Sequence, residues 1–213
     1  DRAGVSAAGL GLILVSSGSA ERRFPGPACE VAARLGLDST PAIDVPVASA
    51  GSLFGLHLAS RLAASSGSVL VVASEKMSAV VTRPPLDRNI AVLFGDGAGA
   101  CLVTPEEGKA EIVDSAIFSD GAYAGALALG ERLEMDGRTV ILHASRKIPR
   151  AIDAVLRRNN LAAADAGVFL MHQANRNLMV RVAQALGVPG EKFYSNIRRY
   201  GNTSSASMLI AAA

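Results

Sequence analysis

Three residues of this chain are of types that could act together as a catalytic set: Ser49, His172 and Asn202. Each stands at an elbow of small or polar residues that follows an apolar run: Ser49 in DVPVASAGS (44–52), His172 in HQAN (172–175), Asn202 in RRYGNTS (198–204). A hydroxyl, an imidazole and a carboxamide make a set of nucleophile, base and amide donor. A side chain held between a strand's end and a helix's first turn faces unpaired backbone N–H groups and the positive end of the helix dipole. A nucleophile there is favoured as its anion. The competing reading of Ser49 is a helix cap, since Ser is a preferred N-cap residue, and on that stretch alone the cap is favoured. A single histidine after a strand likewise reads as structural more often than catalytic. Spacing alone does not bring the three residues together.

The elements that must position them are legible as periodicity. Residues 10–16 (LGLILVS) form a continuous apolar run of strand length, followed by a Ser-Gly-Ser turn and by Pro25-Gly26-Pro27 opening a helix through Leu35. Residues 42–47, bounded by Pro41, read as a second buried strand. From 50 to 65 apolar positions recur at helical spacing, and 68–74 (SVLVVAS) is again apolar on both faces. Strands without polar alternation that take turns with helices imply a parallel or mixed sheet covered on both sides, an α/β layered architecture.

Residues 77–89, with Arg83, Pro84, Pro85, Asp87 and Arg88, read as a loop that could carry a ligand's phosphates. FGDGAGA (94–100) lacks the G-x-G-x-x-G spacing and no helix follows, so a tight turn between two strands is expected. The polar break at 104–108 marks a candidate boundary between units 1–107 and 108–213. Beyond it, 110–119 is strand-like, 120–132 loop-like, and 139–160 helical, with Lys147, Arg150, Arg157 and Arg158 on a solvated face. A buried strand is expected at 166–171 (AGVFLM), a helix at 177–186, a short strand at 193–195, and a Ser/Ala-rich helix after the third elbow. His57, on the apolar face of its helix, and His143, after the run VIL read as a strand, are assigned packing or surface roles.

Composition excludes several classes. Half of the 213 residues are apolar, enough for a sizeable core, and 21 Lys plus Arg against 19 Asp plus Glu give no basic field for nucleic acid. Cys29 and Cys101 lie far apart with no CxxC and no His cluster, which argues against a structural zinc and against a disulfide framework. Both read as small buried hydrophobes, in a helix and a strand respectively. A reducing cytoplasm fits. No signal peptide or membrane span is evident. The chain starts at Asp1-Arg2-Ala3 without Met and stops inside an apolar helical pattern, so both ends read as cut.

The stretches DVPVASAG (44–51), LDRNIAVLFGDGAGA (86–100), MDGRTVILHA (135–144), HQANRNLM (172–179) and YGNTSSAS (200–207) together resemble ketoacyl synthase III, the thiolase-fold condensing enzymes that start fatty acid and some polyketide chains. The resemblance implies a five-layer αβαβα fold of two similar halves, usually dimeric. This chain would supply the later part of the first half and the earlier part of the second. It implies catalytic roles for His172 and Asn202, and it puts Ser49 where the family normally has its cysteine nucleophile. Arg88 matches an arginine near the coenzyme A adenine, Asn175 the HQAN asparagine near the pantetheine, and Phe94 a residue bordering the acyl pocket. The family's basic residue for carrier-protein docking falls at Asn177, with Arg176 one place earlier. The tryptophan that stacks on coenzyme A has no counterpart, since the sequence contains no Trp. The glycine-rich loop of the oxyanion hole falls beyond residue 213. A polypeptide ending there is not expected to be a complete catalyst.

The implied reaction loads a short acyl group from acyl coenzyme A, as substrate and with no cofactor or metal, and condenses it with a malonyl group on acyl carrier protein. A homodimer is expected, with neither nucleic acid nor membrane as partner. A thiol has a pKa of about 8.5 that a helix N-terminus lowers, whereas a serine hydroxyl is far less acidic and needs His172 as a general base. Two alternatives therefore stand beside condensation: acyl transfer to a hydroxyl or amine, and a non-catalytic homologue that binds acyl coenzyme A or acyl carrier protein.

Overall fold

The computed structural model describes residues 4–213; the opening residues 1–3 lie outside it. Strand β1 (Leu10–Ser16) is followed by helix α1 (Pro27–Arg34), which starts on Pro27 at a position where the missing N–H costs nothing. Strand β2 (Ala42–Val45) leads through the Ser49 elbow into helix α2 (Gly51–Ser66), and strand β3 (Ser68–Glu75) follows after Gly67. Two single-turn helices, α3 (Ser78–Val81) and α4 (Arg88–Ala91), precede strand β4 (Gly97–Val103). These four strands form one sheet in the order β2-β1-β3-β4, parallel except for the antiparallel β3–β4 pair. The mixed sheet expected from the apolar runs is present. Leu12, Leu14, Val69 and Val71 pack beneath α2, while Ile13 and Val15 on the other face pack against α1.

The later residues are built differently. A 3-10 segment (Gly121–Ala126) and a hairpin of β5 (Leu127–Leu129) and β6 (Leu133–Met135) precede the long helix α5 (Gly137–Arg158), which Asp136 caps by accepting from Thr139 N at 3.1 Å. Helix α6 (Arg176–Leu186), one-turn α7 (Ile197–Tyr200), a 3-10 turn (Ser204–Ala206) and α8 (Ser207–Ala212) complete the described chain. The core here joins Phe169, Met171, Leu178, Met179, Val182 and Phe193 to the inner face of α5. Among the described residues no helix is long and apolar enough to cross a membrane.

Several expectations are corrected. The strand expected at 166–171 is a single parallel bridge, Phe169 to Phe193, because among the described residues no neighbouring strand offers more than those two partners, and Val168 faces outward. The short strand at 193–195 reduces to the same bridge. Residues 110–119 form no strand, and among the described residues no strand pairs with them; Asp114 instead accepts two hydrogen bonds from Arg158 and one from Asn159, each 2.7 Å. Those bonds hold the Asp114 carboxyl below the usual carboxylate range. The cationic row of α5 is accordingly not only a solvated face: Lys147 pairs with Asp120 as Arg158 pairs with Asp114. FGDGAGA does not turn between two strands, because Phe94 makes only an isolated bridge, to Asn202, before β4 begins. The loop at 77–89 carries α3 and the start of α4, and the one at 120–132 the 3-10 segment and β5. The run VIL lies within α5, where His143 stacks on Tyr123 with ring centroids 3.8 Å apart. His57 bonds Ser115 Oγ at 2.9 Å. Cys29 is exposed on α1, contrary to the buried role expected, whereas Cys101 is partly buried and burial pushes its thiol pKa up.

Candidate active site

Ser49 lies in the turn between β2 and α2. The N-cap of α2 is Ala50, and no side chain caps the helix. The capping role is therefore not the one Ser49 plays, and its hydroxyl is not spent on the helix. Gly51 opens α2 against a crowded wall: a Cβ there would lie 2.7 Å from Ser16 Cβ and 2.9 Å from Ser205 Cβ. Only glycine lets the two elbows approach this closely.

Asn202 enters through backbone pairing. Its N–H donates to Leu93 O and its carbonyl accepts from Gly95 N, each at 3.0 Å, which ties the GNTSSAS segment to FGDGAGA. Its side-chain Oδ1 accepts from Ser204 N at 2.9 Å. That bond fixes the carboxamide and leaves its NH2 as the outward donor. Two residues on, Ser204 holds φ at +46°, a left-handed conformation that non-glycine residues rarely adopt. Its hydroxyl accepts the backbone N–H of Ser49 at 3.1 Å. Ser204 thus touches both the Ser49 and the Asn202 elbows.

His172 leans on the same segment. Its Nδ1 lies 2.6 Å from Ser207 Oγ, which also accepts from Gln173 N at 3.1 Å. The ring is largely enclosed, and this burial pushes its pKa down to about 4. It is neutral at physiological pH. Gln173 is fully buried and satisfied at every polar atom: Nε2 donates to Met171 O (2.9 Å) and Tyr194 O (3.2 Å), and Oε1 accepts from Asn196 N (3.1 Å). That pins the His172 elbow to residues 194–196 without a strand ladder.

The remaining candidates lie on other elements. Asn175 is the N-cap of α6, its Oδ1 accepting from Asn177 N (2.8 Å) and Leu178 N (3.3 Å), so only its NH2 stays available to a ligand. Phe94 packs on Met77, Val80 and Val81, next to the Asn202 bridge. Arg88 lines a cleft of about 620 Å³ with Arg83, Arg132, Leu133 and Met135. Val80 and Val81, on which Phe94 packs, also line that cleft, whereas Phe94, Ser49, His172 and Asn202 are not among its lining residues. The structure thus joins Ser49, Asn202 and His172 through one segment, 202–207, sets Phe94 beside that segment through its bridge to Asn202, and places Arg88 on the separate cleft. Sequence reasoning passed over Ser204, Ser205, Ser207, Gln173 and Glu75. The signal available was a run of small hydroxyl residues after GN, and a carboxylate closing the apolar run of β3.

Residues 43–121 match the family model of 3-oxoacyl-(acyl-carrier-protein) synthase III, and residues 156–213 match the model of its C-terminal part. The beta-ketoacyl-(acyl-carrier-protein) synthase III of Oleidesulfovibrio alaskensis is 36% identical over 233 residues, covering 99% of this chain and 70% of the relative. The chain belongs to this family. Its members are thiolase-fold, acyl-transferring condensing enzymes of fatty acid and polyketide biosynthesis, as the resemblance implied. The crystal structure of 3-oxoacyl-(acyl-carrier-protein) synthase III from Aquifex aeolicus superposes with a TM-score of 0.92 at 33% identity, over 98% of this chain and 68% of that one. The priming beta-ketosynthase of a polyketide biosynthetic pathway superposes at 0.85 with 31% identity, over 99% and 67%.

Proposed function

We propose that this synthase III family chain loads a short acyl group from acyl coenzyme A onto Ser49 and condenses it with a malonyl thioester carried on acyl carrier protein. In the first step Ser49 Oγ bonds to the acyl carbonyl carbon and the C–S bond breaks. The hydroxyl proton passes to His172 and on to the departing coenzyme A thiolate. In the second, the malonyl thioester loses carbon dioxide, and the enolate oxygen is stabilised by hydrogen bonds from His172 Nε2–H and the Asn202 NH2. The enolate carbon then attacks the Ser49 ester, the C–O bond to Ser49 breaks, and the released alkoxide takes a proton from solvent water. A neutral His172 suits both roles in two tautomers: with its proton on Nδ1 it accepts the Ser49 proton at Nε2, and with its proton on Nε2 it donates to the enolate oxygen. Ser207 Oγ, accepting from Gln173 N, is free to turn its own proton toward Nδ1, which would leave the imidazole proton on Nε2 for the enolate.

The observation that carries this reading is the convergence on residues 202–207, where Ser204 bonds the Ser49 and Asn202 elbows and Ser207 bonds His172. Arg88, with Arg83 and Arg132 in the same cleft, suits the anionic coenzyme A end, and Asn175 the pantetheine. Phe94 borders the acyl group. A homodimer, a cytoplasmic setting and a division into halves at 107/108 belong to the same reading. A second reading, transfer of the acyl group to a hydroxyl or amine, is favoured by one observation: an oxygen ester at Ser49 is a poorer donor to a carbanion than a thioester.

The test is intact-protein mass spectrometry of the full-length protein with short acyl coenzyme A thioesters and a Ser49→Ala control. An acyl mass increase confined to the unmutated protein, with carbon dioxide release from malonyl thioester, is expected. An adduct with transfer to an alcohol and no carbon dioxide would select the second reading. Ligand binding without an adduct would sink covalent catalysis at Ser49.

A further inference from the structure

Strand β3 alternates strictly, with Val69, Val71, Ala73 and Glu75 on the inward face. The first three are fully buried apolar residues; the fourth, 4% exposed, is a carboxylate at a position the pattern reserves for the core. None of the ion pairs among the described residues includes Glu75. Its charge is met by hydrogen-bond donors alone. Gly18 N donates to both oxygens at 3.1 Å and Ser19 Oγ to Oε2 at 2.5 Å, from the loop after β1. Ser205 donates twice to Oε1, from Oγ at 2.6 Å and from N at 3.2 Å. Apolar packing would close this corner at lower cost than a desolvated carboxylate, so a carboxylate here favours orientation over stability.

What it orients is the Asn202 segment. Ser205 follows Ser204, whose N–H holds Asn202 Oδ1 and whose hydroxyl holds Ser49 N. Ser205 O also accepts from Ser52 Oγ at 2.8 Å, in the first turn of α2, and Ser16 Oγ donates to Gly51 O at 2.9 Å. Ser205 is therefore held between Glu75 on one side and the Ser49 helix on the other. We propose that Glu75 is a positioning residue: through Ser205 its carboxylate sets the separation and orientation of the Asn202 amide relative to Ser49. The inference rests on the reading of Asn202 as an enolate donor.

The experiment uses full-length protein carrying Glu75→Gln or Ser205→Ala, each alone and combined with Asn202→Ala. It measures carbon dioxide release from a malonyl thioester and the 15N-labelled Asn202 side-chain amide resonance. Glu75→Gln is expected to lower kcat about 10- to 100-fold with KM within about twofold, as a misplaced donor does. It is also expected to move the Asn202 resonance and to cause no further loss in the Asn202→Ala background. Unchanged kcat with an unmoved resonance, or a full additional loss in that background, would overturn the proposal. Should Glu75→Gln fail to fold, Ser205→Ala, which removes one hydroxyl, carries the same readouts. Absence of carbon dioxide release in the unmutated protein would count against the synthase reading, and the resonance alone would then decide whether Glu75 orients Asn202.

Discussion

The Ser49 elbow and the His172 elbow perform similar local manoeuvres on different foundations. Ser49 follows β2, the edge strand of a four-stranded sheet whose Ile13, Leu14 and Val71 are buried under helices on its two faces, and β2 pairs in parallel with β1. His172 follows a segment with one bridge, Phe169 to Phe193, and is held by Gln173 and Ser207. The first is fixed by apolar burial and ladder pairing, which are distributed and cooperative. The second is fixed by a few buried polar side chains, each individually decisive because a lost partner leaves a desolvated donor or acceptor.

This contrast can be broken by measurement. Ile13→Ala is expected to cost about 3 kcal/mol and to lower hydrogen-exchange protection across all four strands, as a cavity in a shared core does. Gln173→Leu is expected to cost about 2 kcal/mol, by leaving Asn196 N and two carbonyls unpaired, with lost protection confined to residues 171–173 and 194–196. Equal, global losses from both variants would show the two foundations to be one cooperative unit.

Acid sharpens the comparison further. The pKa of His172 is depressed by burial to about 4 from an unfolded value near 6.5, so between those values the unfolded chain binds the extra proton. The stability it contributes is complete above pH 6.5 and is lost as pH falls toward 4, by at most about 3 kcal/mol. Urea unfolding at pH 7.5 and 4.5 should show the decline, and His172→Gln should reduce it. An undiminished decline in that variant would place the acid sensitivity elsewhere.

The smallest effect belongs to the tether of the irregular segment. Arg158→Ala removes the donors to Asp114, and the expected result is faster limited proteolysis within residues 110–120 while the melting temperature of the sheet region stays unchanged. Unchanged cleavage would show that the segment is held by Asn159 and the His57–Ser115 bond instead.

Where the chain makes ladders, periodicity located them closely: β1 and α1 begin and end within a residue of the expected bounds, and β3 runs one residue past its run. The misses at 110–119 and 166–171 have one cause. Apolar runs report a preference for burial, and a strand also needs a neighbour to pair with, which lies elsewhere in the chain. The candidate site was legible as motif and illegible as geometry. HQAN and GNTS pointed to His172 and Asn202. Nothing local revealed that Ser204 would span two elbows, or that Glu75 would sit in the core.

The sequence by itself determined the alternation of strands and helices in the first hundred residues, the three polar elbows, and the family. These follow from local periodicity and from residue types at fixed spacing, which the linear chain carries in full. Only the tertiary structure decided that residues 202–207 join all three elbows, that the Ser49 hydroxyl is not spent on a cap, that His172 is neutral, and that a buried carboxylate braces the Asn202 segment. The contacts behind the first and the last of these join atoms more than thirty positions apart in the chain. Burial and hydrogen-bond partnership are properties of such encounters, and they exist only once the chain has closed on itself.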